Sequence, residues 1–108
     1  MKAQPSDRVF RALSAPPRRK VLDLLREREH SVSELQQSFR MSQPALSRHL
    51  KVLRDARLVK TRRAGRAQVY RLNPEPLGQA MDWLLHYREF WRERFEKLDA
   101  LLAEMEKD

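Results

Sequence analysis

Residues 41–53, MSQPALSRHLKVL, decide the fold because they predict a short helix with one apolar and one polar face. At about 100° per residue, Leu46, Leu50 and Leu53 lie within roughly 60° of one another on this helix. Ser42 is a favourable N-cap residue just before it. The leucines predict burial against a core, which leaves the opposite face for solvent or for a partner.

The opposite face carries the side-chain types that bind nucleic acids. Arginine and lysine reach phosphates and guanine, whereas glutamine and serine form hydrogen bonds with base edges and phosphates. Proline in the first turn of a helix loses no helical hydrogen bond. We therefore predict that this helix contacts DNA through Ser42, Gln43, Pro44, Ser47, Arg48 and Lys51.

Three more helices are predicted before this one. The first is expected to be capped by Ser6 and to have an apolar side. The second begins at Pro17 and runs to about residue 28, because proline suits a first helical turn. The third opens at Ser33, and Gln36 three residues later completes a capping box.

A helix, a short turn and a second helix with a polar outer face form a helix-turn-helix, which we place at residues 33–56. A very short strand is predicted at residues 31–32, and residues 1–5 are expected to be flexible. Arg18 and Arg19 lie at the start of the second helix, where the helix dipole disfavours cations. Either a phosphate contact or simple solvation would account for these two arginines.

Residues 58–72 change to a two-residue repeat and predict a hairpin around Gly65. Arg62, Arg63 and Arg66 cluster at its tip, where basic side chains can follow a phosphate backbone. A basic hairpin directly after a helix-turn-helix is a wing, and we predict that role. The alternative is an exposed hairpin whose charge prevents edge-to-edge pairing.

Residues 77–105 predict one helix of 29 residues, about 43 Å long. Apolar residues recur at every seventh position from Leu77 to Met105, and further aromatic residues widen this stripe. The arc is too wide for packing against one small domain, so we predict that this helix and the first helix join two copies of the chain. The expected interface residues are Phe10, Leu13, Leu84, Tyr87, Trp91, Phe95 and Leu98.

The charge is unevenly distributed along the chain. Residues 1–74 contain 18 Lys and Arg against 6 Asp and Glu, whereas residues 75–108 contain 5 against 9. The excess of basic residues in residues 1–74 indicates an anionic partner for that part of the chain. The alternative is a solvated basic surface that binds no partner. The length of 108 residues predicts a single domain, residues 1–108.

Several classes of chemistry are not predicted. The chain lacks cysteine, which excludes disulfides, thiolate zinc sites and cysteine nucleophiles. Asp82, His86, Glu89 and Glu93 lie near one helical face, but one histidine with carboxylates is more typical of a solvated face than of a metal site. We therefore predict no metal, no cofactor and no enzymatic activity. Without an apolar run or a signal-peptide pattern, we expect a cytoplasmic, nucleoid-associated protein and no membrane partner.

This succession of elements resembles the ArsR/SmtB-type winged-helix repressors of bacteria. Residues 10–13 with residues 17–25 are similar to the family's opening, residues 42–53 to its recognition helix, and residues 58–59 and 69–72 to its wing strands. The resemblance implies a mainly α-helical winged helix-turn-helix with the order α-α-α-α-β-β-α. It also implies a homodimer that forms through the first and last helices.

The resemblance further implies that Gln43, Ser47 and Arg48 read the major groove of an imperfect palindrome in a promoter and that residues 62–66 form the wing tip. The chain lacks the cysteine motif of the metal-sensing members, so it is most similar to the non-metal-sensing branch. The sequence does not identify an effector. Two alternative functions stay open: a protein-interaction module that uses the long last helix, and a metal-responsive repressor with a site around His86. An RNA-binding winged helix is disfavoured, because RNA readers usually need exposed aromatic residues for stacking on bases.

Overall fold

The computed structural model describes residues 4–107, so the flexibility predicted for residues 1–3 lies outside the described part. The elements are α1 (Pro5–Leu13), α2 (Pro16–Glu27), β1 (His30–Ser31), α3 (Val32–Gln37), α4 (Gln43–Asp55), β2 (Val59–Ala64), β3 (Ala67–Leu72), α5 (Leu77–Leu84), a 3₁₀-helix (Leu85–Trp91) and α6 (Arg92–Glu106). The fold is mainly helical with a small antiparallel sheet, as predicted. The very short strand predicted at residues 31–32 forms as β1 one residue earlier, at His30–Ser31, and the last helix is divided.

The first helix begins earlier than predicted. The backbone N–H of Gln4 donates a hydrogen bond to Asp7 Oδ2 (2.9 Å), and Gln4 is the N-cap residue. The prediction that Ser6 caps α1 is therefore wrong, since Gln4 is the N-cap and Pro5 is the first residue of the helix. An acidic side chain in the first turn also complements the partial positive charge of the helix N-terminus.

The third helix uses a different capping box from the predicted one. Ser31 Oγ accepts from the backbone N–H of Glu34 (3.1 Å), and Glu34 Oε1 accepts from the backbone N–H of Ser31 (2.9 Å). The sequence contains two overlapping boxes, Ser31 with Glu34 and Ser33 with Gln36. The box with the carboxylate forms, because a negative charge at a helix N-terminus is stabilising.

The core lies where the first four helices meet the sheet. Leu46, Leu50 and Leu53, the predicted inner face of α4, are at most 2% exposed. Full burial of one such side chain contributes about 1.5–3 kcal/mol, so this apolar face fixes α4 to the body of the protein. The largest fully buried side chains are Leu35, Leu46, Leu50, Leu53, Leu58, Val9 and Val21.

The sheet has the order β1-β3-β2 and is antiparallel throughout. β2 and β3 are paired up to Ala64 and Ala67, which leaves Gly65 and Arg66 as a two-residue turn. Gly65 has φ +63°, and a glycine at the first central position is typical of a type II′ hairpin turn. The predicted hairpin therefore forms around the predicted glycine.

His30 is buried in β1, although it directly follows a charged stretch of the sequence, residues 26–29. It is opposite Tyr70 of β3, and both side chains are less than 8% exposed. Its Nδ1 donates to the carbonyl oxygen of Arg28 (2.9 Å), which satisfies this buried polar atom. The two-residue strand β1 therefore places His30 beside β3 at the edge of the sheet.

The end of α4 is a Schellman motif with arginine in the left-handed position. Arg57 has φ +61°, its N–H donates to the Arg54 carbonyl (2.9 Å), and the N–H of Leu58 donates to the Leu53 carbonyl (3.1 Å). The Asn73 side chain donates to the Arg57 carbonyl (2.7 Å). Asn73, which directly follows β3, thus holds the end of α4.

The prediction of one continuous helix over residues 77–105 is wrong. α5 ends at Leu84, residues 85–91 form a 3₁₀-helix, and α6 begins at Arg92. The intervening segment contains no proline or glycine, but it is rich in aromatic residues, which have lower helix propensity. A 3₁₀-helix aligns side chains three residues apart, and the rings of Tyr87 and Phe90 lie 6.3 Å apart. The seven-residue apolar stripe is consequently divided between two helices.

Candidate nucleic-acid interface

Side chains from three elements hold the turn between α3 and α4. Lys20 Nζ on α2 donates to the Ser38 carbonyl (2.6 Å), and Gln36 Nε2 on α3 donates to the Met41 carbonyl (2.7 Å). Ser42 Oγ accepts from the backbone N–H of Ala45 (3.3 Å) and caps α4, as predicted. These bonds hold the turn and fix the residue at which α4 begins.

The outer face of α4 is polar and exposed. The side chains predicted to contact DNA all lie on the surface: Ser42, Gln43, Pro44, Ser47, Arg48 and Lys51. Four of them line one open groove together with Arg54, namely Pro44, Ser47, Arg48 and Lys51. Arg54 was missed by the sequence analysis, although it follows Lys51 at helical spacing on the same side. The groove therefore has three cations along one face of α4.

Arg18 and Arg19 have a structural role that neither predicted interpretation included. Arg18 Nε donates to the Ala12 carbonyl and its Nη2 to the Arg11 carbonyl, both at 2.9 Å. Arg19 Nη1 donates to the Leu13 carbonyl (2.6 Å). The last carbonyls of a helix lack partners within that helix, so these two arginines of α2 cap the end of α1.

Arg18 also reaches the helix that carries the polar face. Its Nη1 lies 3.1 Å from His49 Nδ1, and since arginine can only donate, Nδ1 is the acceptor. Partial burial lowers the pKa of His49 below its ordinary value, and the charges of Arg18 and Arg48 lower this pKa further. His49 is therefore a neutral residue on the flank of α4 at neutral pH.

The three wing arginines have different surroundings. Arg62 Nη2 forms an ion pair with Oε2 of Glu29 at 2.6 Å, and Glu29 lies in the connection between α2 and β1. Arg62 and Arg63 are consecutive in β2, so their side chains point to opposite faces of the hairpin. Arg66 lies in the exposed turn, and within residues 4–107 neither Arg63 nor Arg66 has a salt-bridge partner. The structure thus separates one paired arginine from two unpaired ones.

The acidic and histidine side chains of the last helices lie on the surface. His86 Nδ1 donates to the Trp83 carbonyl (3.1 Å), and Asp82, Glu89 and Glu93 are exposed. Among residues 4–107, no group of three or more histidine, aspartate and glutamate side chains is close enough to hold a metal ion. In the same part of the chain, no helix has both the length and the apolar composition needed to cross a bilayer.

A large apolar surface runs from α1 along α5 to α6. The rings of Phe10 and Trp83 pack edge to face at 5.5 Å, and those of Trp83 and Tyr87 lie 5.1 Å apart. Of the predicted interface residues, Tyr87, Phe95 and Leu98 are exposed, whereas Phe10, Leu13, Leu84 and Trp91 are half-buried within the protomer. The exposed large apolar side chains are Met81, Trp83, Tyr87, Phe90, Phe95, Leu98, Leu101, Leu102 and Met105. Exposed apolar side chains in such number are typical of interaction surfaces.

Comparison with known proteins agrees with this geometry. The family described as bacterial regulatory protein, arsR family, matches residues 15–61, which span α2 to β2. The transcriptional repressor SdpR of Bacillus subtilis is 35% identical over 79 residues, 73% of this chain and 88% of SdpR. The chain belongs to the ArsR family. It is therefore a DNA-binding transcriptional regulator with a winged helix-turn-helix fold, and the family does not consist of enzymes.

Two other ArsR-family proteins extend the match in sequence and in structure. The regulator Rv2034 of Mycobacterium tuberculosis is 44% identical over 72 residues, 67% of each chain. The crystal structure of an ArsR family transcriptional regulator superposes with a TM-score of 0.73 at 32% identity, covering 85% of this chain and 97% of the other. This ArsR-family chain thus shares with its relatives both the helix-turn-helix and the elements around it.

Proposed function

We propose that this ArsR-family protein is a homodimeric repressor that binds an imperfect palindrome in promoter DNA and blocks transcription by occupying the site. The exposed polar face of α4, lying directly outside its buried leucine face, is the observation that carries the proposal. A helix packed on a core with Gln, Ser, Arg and Lys outside is suited to enter a major groove.

Base reading is assigned to the N-terminal half of α4. Gln43, Ser47 and Arg48 are exposed, and Arg48 is long enough to reach guanine O6 and N7 in the major groove. Ser42, Pro44 and Lys51 border them and contact the phosphates and sugars on either side. Arg54, in the same groove, joins this set as a phosphate contact.

The wing is assigned to the phosphate backbone. Arg63 and Arg66 are exposed cations on the hairpin, and the ion pair with Glu29 holds Arg62 on the face opposite Arg63. Phosphate contacts hold a protein in register on the duplex but do not read its sequence. The wing therefore contributes affinity, and α4 contributes specificity.

A second copy of the chain is the proposed occupant of the apolar surface on α1, α5 and α6. A homodimer would cover Tyr87, Phe95 and Leu98 and would present two copies of α4 to successive major grooves about 34 Å apart. The same surface is the feature that favours the rival function, a protein-interaction module. We assign it to a second copy because a two-fold dimer also supplies the second recognition helix.

We further propose that DNA binding does not respond to zinc, copper or arsenite. Soft metals and arsenite prefer thiolates, which this chain lacks, and zinc with nitrogen and oxygen ligands needs several convergent groups. Regulation then depends on the concentration of the protein or on an organic or protein effector.

Selection from a pool of random DNA duplexes tests the proposal. The purified full chain should enrich an inverted repeat whose half-sites are about one helical turn apart. Arg48→Glu should abolish the enrichment, whereas Lys97→Glu on α6, which makes the same charge change, should leave it intact. Enrichment of no motif, or equal loss in both variants, would contradict the proposed function.

A further inference from the structure

A single guanidinium group connects three helices beside the DNA-reading face. Arg18, in the first turn of α2, binds two carbonyls at the end of α1 at 2.9 Å each and the Ser14 hydroxyl at 3.2 Å. Its remaining contact is the 3.1 Å hydrogen bond to His49 Nδ1 on α4. Within residues 4–107, this is the one hydrogen bond between side chains that joins α4 to another helix.

We propose that Arg18 and His49 are positioning residues, whose hydrogen bond sets the orientation of α4 at which Ser47 and Arg48 reach the base edges. This inference rests on the proposed function, in which α4 reads DNA. It gives Arg18 a role distinct from the phosphate contact that its position at a helix start suggested.

Apolar packing alone does not define the rotation of α4. The leucine face holds the helix against the core, but the hydrophobic effect is non-directional and tolerates small rotations about the helix axis. A hydrogen bond weakens steeply when its angle or its length departs from the favoured values. His49 directly follows Ser47 and Arg48, so any rotation that breaks the Arg18 contact also moves those two side chains.

The same arginine also connects α4 to the helices proposed for the dimer interface. It binds the end of α1, and α1 packs on α5 through the edge-to-face contact of Phe10 with Trp83. A shift of α1 against its surroundings would therefore move the guanidinium and, through it, His49. In a homodimer, this path relates the packing of the interface to the angle of each recognition helix.

The chemistry of the contact indicates a conservative replacement. Arginine has only donors, so the neutral His49 ring accepts at Nδ1 and carries its proton on Nε2. In asparagine, Oδ1 lies the same number of bonds from the backbone as histidine Nδ1, and it is also an acceptor. Leucine has a similar size and no acceptor, so the pair His49→Asn and His49→Leu separates the hydrogen bond from side-chain bulk.

The experiment measures the affinity of the full-length wild type, His49→Asn and His49→Leu for the selected operator and for an unrelated duplex of equal length. We expect His49→Leu to lose about tenfold in affinity for the operator, the effect of losing one good base contact. Affinity for the unrelated duplex should change by less than about twofold, because phosphate contacts are sequence-independent. His49→Asn should restore both affinities to within about twofold of the wild type.

Three results would overturn the inference. His49→Leu could bind both duplexes like the wild type, or His49→Asn could be as defective as His49→Leu, which would assign the effect to the imidazole itself. A wild type that prefers no duplex would refute the proposed function and this inference with it, and this result is distinguishable from the first two.

If circular dichroism shows that His49→Leu does not fold, Arg18→Lys provides the test, since one ammonium group cannot bind both α1 and His49. Arg18→Lys should lower the affinity for the operator relative to that for the unrelated duplex. An unchanged ratio of the two affinities would contradict the role of Arg18.

Discussion

The guanidinium of Arg62 lies 2.6 Å from Glu29 Oε2, so a carboxylate in the connection between α2 and β1 holds one of the arginines assigned to DNA phosphate. The hydrogen bond from Arg62 keeps the pKa of Glu29 below its ordinary value, with a smaller contribution from the charge of Arg71. The carboxylate is therefore ionised at neutral pH. A phosphate of bound DNA has to compete with Glu29 for the same donor.

Replacement Glu29→Gln should strengthen binding to any duplex. The change frees Arg62 and raises the net charge by one, so affinity should rise severalfold and the slope of log affinity against log salt should steepen by up to about 0.9. Stability should change little, because exposed ion pairs contribute little. Glu34→Gln is the matched control, since Glu34 pairs with Arg28 rather than with a wing arginine and glutamine also fits its capping box. Equal effects of the two variants, or weaker binding by Glu29→Gln, would refute the competition.

Arg48 and Arg66 should contribute to DNA binding in different ways. Arg48→Ala should cost about 1–3 kcal/mol for the operator and relax the preference for one base pair, because Arg48 is assigned to a base edge. Arg66→Ala should weaken binding to all duplexes and reduce the salt slope by about 0.9, the effect of one lost phosphate contact. Titrations of operator and scrambled duplex at several salt concentrations measure both. A change of sequence preference in Arg66→Ala with an unchanged salt slope would show that the wing assignment is wrong.

Leu98→Glu should dissociate the proposed dimer without unfolding the protomer. Leu98 is 48% exposed on α6, so a charge at this position costs little in the isolated chain but would be buried in the dimer interface. Sedimentation of the wild type at micromolar concentration should give the mass of two chains, and Leu98→Glu should give the mass of one. Lys97→Glu, its exposed neighbour, should remain dimeric. A monomeric wild type would contradict the proposed assembly.

The elements that the sequence predicts correctly depend on local signals. The leucine spacing of α4, the Ser42 cap and the glycine of the hairpin turn all act within a few residues, so they could be recognised without knowledge of the rest of the fold. Since α4 is amphipathic, its inner and outer faces followed from the same spacing. Only Arg54 was missed on this face, and helical periodicity from Lys51 contained the signal for it.

The contacts that the sequence did not predict join residues far apart in the chain or lack a local signal. Arg18 and His49 are separated by 31 residues, and Arg62 and Glu29 by 33, so only the packed fold brings these partners together. The break after Leu84 is not marked by proline or glycine, and the regular apolar spacing on both sides predicted a continuous helix. Local helix patterns do not report that Trp83, just before the break, packs on Phe10 of α1.

Arg57→Gly should stabilise the protein by about 1 kcal/mol. Arg57 has φ +61°, a left-handed conformation that costs roughly 1–2 kcal/mol for a residue with a Cβ atom, and glycine adopts it without this cost. Part of the gain is lost because glycine makes the unfolded chain more flexible. Urea unfolding should show a higher midpoint for Arg57→Gly and a lower one for Arg57→Val, whose branched Cβ is less compatible with this conformation. A lower midpoint for the glycine variant would show that the arginine side chain contributes more stability than its backbone strain removes.

Acidification should destabilise the fold through His49. Burial, followed by the charges of Arg18 and Arg48, lowers the pKa of His49 in the folded protein below its ordinary value of 6.5. Between that lowered pKa and about 6.5, the unfolded chain binds more protons at this position than the folded chain, so the free energy of unfolding falls as the pH falls. Above this window both states carry a neutral His49, and its contribution to stability no longer changes with pH.

His49→Asn isolates this contribution because asparagine does not titrate and keeps an acceptor for Arg18. Urea unfolding at about pH 7.5 and pH 5.5 should show a larger loss of stability in the wild type than in His49→Asn, with the other titrating groups common to both proteins. Equal losses would mean that the surroundings of His49 do not disfavour its protonation. Protonation also removes the acceptor of the Arg18 hydrogen bond, so the affinity of the wild type for its operator should fall over the same pH range, and that of His49→Asn should fall less.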